Sequence, residues 1–149
     1  MYRYKSVLLK EDTATDYNVL GKSVRNDIDV FSLLKSIYAD VMPDEHMWVI
    51  HLDIKSNIVG FSEVSIGAKG KTIADPSAIF RDAILGNSNA VILAHNHPSG
   101  SLEPSKEDIE TTQRLCDAGK ILGIEIKDHL IVSHGEYISM LGKGLMEVA

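Results

Sequence analysis

The chain has 149 residues, enough for one domain with a sizeable core, and its hydrophobic content of 44% is that of an ordinary globular protein. A net charge of −6 with no basic run argues against direct nucleic-acid binding, which rests on lysines and arginines neutralising phosphates. The one cysteine, Cys116, excludes an intrachain disulfide and a cysteine-based zinc knuckle. No apolar run reaches the length of a membrane span, and the opening Met-Tyr-Arg-Tyr-Lys lacks a signal-peptide core, so a cytoplasmic protein is expected.

Residues 2–10 hold Val7, Leu8 and Leu9 and suggest a short strand; 11–26 are polar and read as a loop. From Asp29 to Asp40 a helix is expected, because Val30, Leu33, Leu34 and Ile37 share one face, and Met42-Pro43 ends it. Trp48, Ile50, Leu52 and Ile54 alternate with Met47, Val49, His51 and Asp53, the signature of a strand. Lys55-Ser56-Asn57 turns the chain and 58–66 returns as a second strand, so 47–66 reads as a hairpin. A glycine-bearing loop at 67–70 follows; Lys69 and Lys71 beside it read as solvated. Asp75 then Pro76 is a helix start, with Ile79, Phe80, Ala83 and Ile84 as the buried stripe. Asn87 to Asn89 turns into a buried strand at Ala90–Leu93. Ser105 opens a helix that carries Cys116 as a packing residue and ends near Gly119. A strand over 124–133, broken near Lys127-Asp128, leads through His134-Gly135-Glu136 to a last strand at 137–141. Helices alternating with strands argue one α/β domain over 1–149, layered around a mixed sheet.

The chemistry concentrates between Ala94 and Asp108: Ala-His-Asn-His-Pro-Ser-Gly-Ser-Leu-Glu-Pro-Ser-Lys-Glu-Asp. Residues two apart on an extended chain point the same way, with Cα atoms roughly 7 Å apart. His95 and His97 therefore converge if the strand continues to His97. Pro98, Ser99 and Gly100 then turn the chain, and the helix that starts at Ser105 can bring Asp108 back to the histidines. Alone, a histidine is ordinarily structural or exposed, and Ser105 with Asp108 would be a plain capping pair. Together, two imidazoles and a carboxylate with a fourth position open for water form the pattern of a catalytic zinc, one per chain.

The string His-x-His-Pro-Ser-Gly followed by Pro-Ser-x-x-Asp resembles the metal-binding motif of the JAMM (MPN-plus) metallohydrolases. More narrowly, the chain is similar to the C-terminal domain of RadC-like proteins: Asp-Glu-His at 44–46, Ser-Ile-Gly at 65–67, Leu-Gly-Ile at 122–124 and Asp-His-Leu-Ile at 128–131 agree with that match, which runs from about residue 4 to about residue 141. The resemblance implies the MPN fold, a layered α-β-α sandwich with a mixed sheet, akin to the cytidine-deaminase-like sandwich. It implies a zinc-dependent hydrolase of amide bonds, peptide or isopeptide, in a family named for DNA repair. Full-length members carry an N-terminal helix-hairpin-helix region, for which residues 1–26 are too few. Family members often have histidine where this chain has Asp75, so specificity here can differ.

Amide hydrolysis needs a carboxylate beside the metal to take a proton from water and deliver one to the leaving amine. The position of Glu45 matches where the family places its catalytic glutamate; Glu63, among apolar neighbours on the second strand, is the rival. The serine that matches Ser105 helps hold the oxyanion in the family, a role compatible with capping because a hydroxyl both accepts and donates. His51 and His129 are weaker candidates. His46 is expected to point away from Glu45, and His134 to lie exposed in a turn. A different class of function is a non-catalytic metal-binding interaction module in DNA repair or replication; the full set of ligands argues against it. A nucleobase deaminase needs His-x-Glu and paired cysteines and is set aside. A metal-dependent nuclease is disfavoured by the acidic charge and single-metal ligand set. Substrate identity and oligomeric state are not legible in the sequence.

Overall fold

A computed structural model describes residues 23–64 and 75–147. The expected first strand at 2–10, the loop with Lys69 and Lys71, and most of the 11–26 loop lie outside the described residues. The elements in order are α1 (Asp27–Ser36), a 3-10 turn (Ala39–Val41), β1 (Met47–Leu52), β2 (Ile58–Val64), α2 (Pro76–Leu85), β3 (Ala90–Asn96), α3 (Lys106–Leu122), β4 (Glu125–Ser133) and β5 (Glu136–Ser139).

The five strands form one mixed sheet in the order β2-β1-β3-β4-β5, in which only β3 and β4 run parallel. α3 makes the crossover between them, as a parallel pair requires. Helices cover both faces. Val30, Leu33 and Leu34 of α1 pack on Trp48, Ile50, Leu52, Ile92, Ala94, Leu130 and Val132. Ile79, Phe80 and Ala83 of α2, with Leu115 and Cys116 of α3, pack on Met47, Val49, Val91, Leu93, Ile126 and Ile131. The alternation in β1 therefore sorts its residues between two cores, and every residue of the strand is buried. This is the expected α-β-α sandwich.

Several boundaries differ from the sequence reading, each for a local reason. α1 starts two residues earlier, because the Asn26 side chain accepts hydrogen bonds from the backbone of Ile28 and Asp29 and caps the helix. It ends at Ser36, and Tyr38 turns left-handed (φ 59°) before the 3-10 turn. β1 stops at Leu52: Asp53 accepts from the backbone of Lys55 and Asn57 and closes the hairpin turn, leaving Ile54 exposed. In α2, Asp75 and Pro76 start the helix as expected, but Ile84 is on the solvent side rather than in the buried stripe. α3 runs past Gly119 to Leu122 and is capped by left-handed Gly123 (φ 72°). Gly119 is instead a contact point, since a Cβ there would lie 2.4 Å from the Ile124 carbonyl oxygen. The final strand is Glu136–Ser139, shorter than expected, because Met140 to Gly144 turn back on hydrogen bonds to residues 139–141 and 129.

The expected break in β4 is a bulge: Val91 pairs with Ile126, but Ile92 pairs with Asp128, so Lys127 is the extra residue. One extra residue reverses which face the following side chains take. Ile126 faces α2 and α3, and after the bulge His129 and Ile131 do so as well. Asp128 holds the bulge, accepting from the backbone of His129 and Leu141 and from the Ser139 hydroxyl.

Candidate metal centre

β3 runs to Asn96, and His97 stays in register beyond it because its N–H bonds the Val132 carbonyl at 3.0 Å. His95 and His97 thus face the α3 side of the sheet, as their two-residue spacing demands. Their Nε2 atoms are 2.9 Å apart. The chain turns at Pro98–Gly100, with Gly100 at φ 91°, and returns into α3. There the capping box forms: Ser105 Oγ accepts from the Asp108 backbone at 3.0 Å, and Asp108 Oδ2 accepts from the Ser105 backbone at 2.9 Å. That box orients Asp108 so that the same Oδ2 lies 3.5 Å from His95 Nε2 and 3.3 Å from His97 Nε2. Two ligands about 2.05 Å from a zinc at the tetrahedral angle are about 3.3 Å apart, so these three atoms have the spacing of a zinc ligand set.

Glu45 arrives from the other side. Met47 pairs with His95 across β1 and β3, so the segment before β1 passes beside the end of β3. Glu45 Oε1 lies 4.0 Å from His95 Nε2. Glu45, His95 and His97 each offer a ligand atom, all within 4.8 Å of one another. Two overlapping trios therefore share the histidines, one completed by Asp108 and one by Glu45. Burial distinguishes them: the Asp108 side chain is 4% exposed and that of Glu45 30%. Asp108 closes the floor of the site and the partly exposed Glu45 stands on its solvent side.

The donor chemistry fits a cation. His97 Nδ1 is 2.8 Å from the Ser101 carbonyl oxygen, which can only accept, so Nδ1 carries a hydrogen, and a neutral ring would present a bare Nε2. That lone pair points at His95 Nε2 and at a carboxylate, an arrangement that calls for a positive charge between them. A proton on Nε2 supplies that charge as well. The hydrogen bond to Asp108 raises His97 above the ordinary imidazole range, against the effect of burial. Burial alone would push Asp108 up, but hydrogen bonds with His95 and His97 hold its carboxyl far below the usual carboxylate range.

The remaining sequence candidates separate cleanly. Glu63 is exposed on β2 rather than buried by its apolar neighbours, and its carboxylate pairs with His46 Nδ1 instead of reaching the histidines. His51 is at the other end of β1, bonded to Ser88 and Ser62. His134 is exposed in the β4–β5 turn, with Nε2 3.3 Å from the Pro98 carbonyl.

Two residues matter more than the sequence suggested. Asn96, the middle residue of His-x-His, is buried and faces away from its neighbours. Its Oδ1 accepts from the His46 backbone at 2.6 Å, and its Nδ2 donates to the carbonyls of Asp44 at 2.9 Å and Met42 at 3.3 Å. It thereby ties the segment that carries Glu45 to the strand that carries the histidines. His129 lies beneath His95, with Nε2 2.7 Å from His95 Nδ1, and burial lowers it well below the ordinary imidazole range. The sequence offered it as a weaker candidate within Asp-His-Leu-Ile, and the break at Lys127 sets the face that His129 takes.

Residues 24–145 match the family profile described as RadC-like JAB domain. The chain is 46% identical over 102 residues to a UPF0758 protein of Desulfitobacterium hafniense, covering 68% of this chain and 45% of that protein. It is 41% identical over 123 residues to a UPF0758 protein of Methanococcoides burtonii, covering 83% and 53%. With a UPF0758 protein of Staphylococcus haemolyticus it shares 36% over 152 residues, covering 97% and 66%. The chain spans about half the length of most of the curated relatives it matches.

Proposed function

The chain belongs to the RadC-like JAB domain family, and from that membership and its site geometry we propose that it is a zinc-dependent hydrolase of amide bonds, peptide or isopeptide. The observation that carries the reading is the convergence of His95 Nε2, His97 Nε2 and Asp108 Oδ2 on one point, with the half-open Glu45 carboxylate beside it.

His95, His97 and Asp108 would hold the metal. Zinc, when bound, acidifies water and polarises a carbonyl oxygen. The protein's own groups do the rest. Glu45 accepts the proton of the attacking water and returns it to the nitrogen of the departing amine, the two transfers that amide cleavage requires. Its place on the solvent side suits both: it is near enough to the histidines to share the reacting centre and open enough to meet a leaving group. Ser105 uses an oxygen lone pair to cap α3, which leaves its hydroxyl proton to donate to the oxyanion that forms as water adds. The buried floor of His95 and Asp108 excludes bulk water from the inner side of the site.

The test is hydrolysis of a panel of peptide and isopeptide substrates by zinc-loaded protein, beside Glu45→Gln and a chelator-treated control. Cleavage that is lost with chelator and falls at least 100-fold in Glu45→Gln is expected, the scale of a removed acid–base group. Cleavage that survives in Glu45→Gln would contradict the assignment of the base.

A further inference from the structure

His129 has no part in the reaction above, yet it is buried between β4 and α3 with both ring nitrogens engaged. Its Nε2 is 2.7 Å from His95 Nδ1, and its Nδ1 is 2.7 Å from Thr112 Oγ1. Thr112 Oγ1 is in turn 2.7 Å from the backbone carbonyl oxygen of Asp108, one helical turn earlier. The row therefore begins on one ligand candidate and ends on the main chain of another.

The direction of the protons along this row is determined. A carbonyl oxygen only accepts, so the short contact at Asp108 requires the Thr112 proton; without it two acceptors would abut. Thr112 has one proton, so its oxygen must accept from His129, which places a hydrogen on His129 Nδ1. A neutral imidazole carries one N–H, so His129 Nε2 is bare and must accept. His95 Nδ1 then carries the hydrogen of the last contact, which leaves Nε2, the atom facing His97 and Asp108, as the one that can ligate a metal. The reversed row would put a hydrogen on His95 Nε2, pointing into the space a metal would occupy.

We propose that His129 and Thr112 are positioning residues that fix His95 as the tautomer able to ligate a metal, with the α3 backbone carbonyl of Asp108 as the anchor that sets the polarity. The inference rests on reading the cluster as a metal site. It also explains why a histidine stands where a carboxylate commonly orients a ligating imidazole. A neutral acceptor orients His95 without adding a second buried negative charge beside Asp108.

The experiment reads imidazole tautomers directly, by long-range nitrogen–proton correlation on nitrogen-15-labelled, metal-free protein at mildly alkaline pH. The proposal predicts a hydrogen on Nδ1 of both His129 and His95 in the wild type. In Thr112→Val, of equal shape, His129 shifts toward the Nε2–H form, and zinc affinity measured against a competing chelator falls about 10–100-fold. Thr112→Ser, which keeps the hydroxyl, retains both properties. A wild-type His129 with its hydrogen on Nε2 overturns the proposal, as does a Thr112→Val protein with unchanged tautomer and zinc affinity. If Thr112→Val does not fold, the wild-type tautomers alone decide. A wrong tautomer in a protein that takes up zinc sinks the relay and spares the metal site, whereas a wild type that takes up no zinc sinks both.

Discussion

Asn96 separates the two candidate ligand histidines in the chain and joins them to Glu45 in space. Its three hydrogen bonds reach backbone groups of Met42, Asp44 and His46. Asn96→Ala leaves buried polar groups without partners, and we expect a loss of about 2–4 kcal/mol in denaturant unfolding. Because the histidines remain, zinc uptake persists in the folded fraction while hydrolysis falls more than 10-fold, since Glu45 is no longer held. Equal zinc uptake and equal hydrolysis would contradict that role. At this scale the sequence was informative wherever chemistry and spacing coincide. The convergence of His95, His97 and Asp108 could be read from a two-residue step, a turn and a helix start. Asn96 could not, because an asparagine that bonds main chain leaves no pattern in the sequence. Nor could the separation of Glu45 from Glu63: both follow or flank apolar strands, and only the pairing of Met47 with His95 and of Trp48 with Glu63 sets which one meets the histidines.

Element boundaries are set by contacts that the periodic pattern does not contain. The helix reading stopped α3 at Gly119 because glycine commonly ends helices. The structure uses that glycine differently: its missing side chain lets the chain fold back so that Ile124 N–H bonds the Gly119 carbonyl at 2.9 Å. Gly119→Ala would force a Cβ to 2.4 Å from the Ile124 oxygen, backbone that cannot swing aside. We expect a cost of about 1–3 kcal/mol, the scale of overpacking, read as a lower denaturation midpoint with an unchanged m-value. A neutral or stabilised Gly119→Ala would show that the α3–β4 junction is looser than described. The bulge at Lys127 is the opposite case. The interruption of the apolar pattern was visible, and its consequence, turning His129 toward His95, depends on the register with β3.

Across the whole molecule, two helical layers bury both faces of β1 and β3, which is why a layered α/β domain was legible from the order of elements, the sandwich itself being what the family resemblance implied. Among the described residues, no helix is long and apolar enough to cross a membrane. Burial at this scale also gives the protein a pH dependence remote from the candidate metal centre. His51 is lowered by burial, an effect only partly offset by the charge of Asp82. The unfolded chain therefore binds a proton that the folded protein resists. The contribution is fully present above the ordinary imidazole value of 6.5, and it is lost as pH falls from there through the depressed folded value. His51→Gln, which can still bond Ser88 and Ser62, should unfold with a shallower loss of stability between neutral and mildly acid pH. Urea midpoints across that range, wild type against variant, check the point; parallel curves would contradict it.

The central proposal is that His95, His97 and Asp108 hold one zinc while Glu45 moves protons without ligating it. It is tested most directly by elemental analysis of metal-free protein after zinc loading, wild type beside Asp108→Ala and Glu45→Gln. The account predicts about one zinc per chain in the wild type, as for one set of three protein ligands with a fourth position open, loss of it in Asp108→Ala and retention in Glu45→Gln. A wild type without zinc would contradict the metal site, and a Glu45→Gln protein that loses zinc while Asp108→Ala keeps it would make Glu45 the third ligand and Asp108 a helix cap.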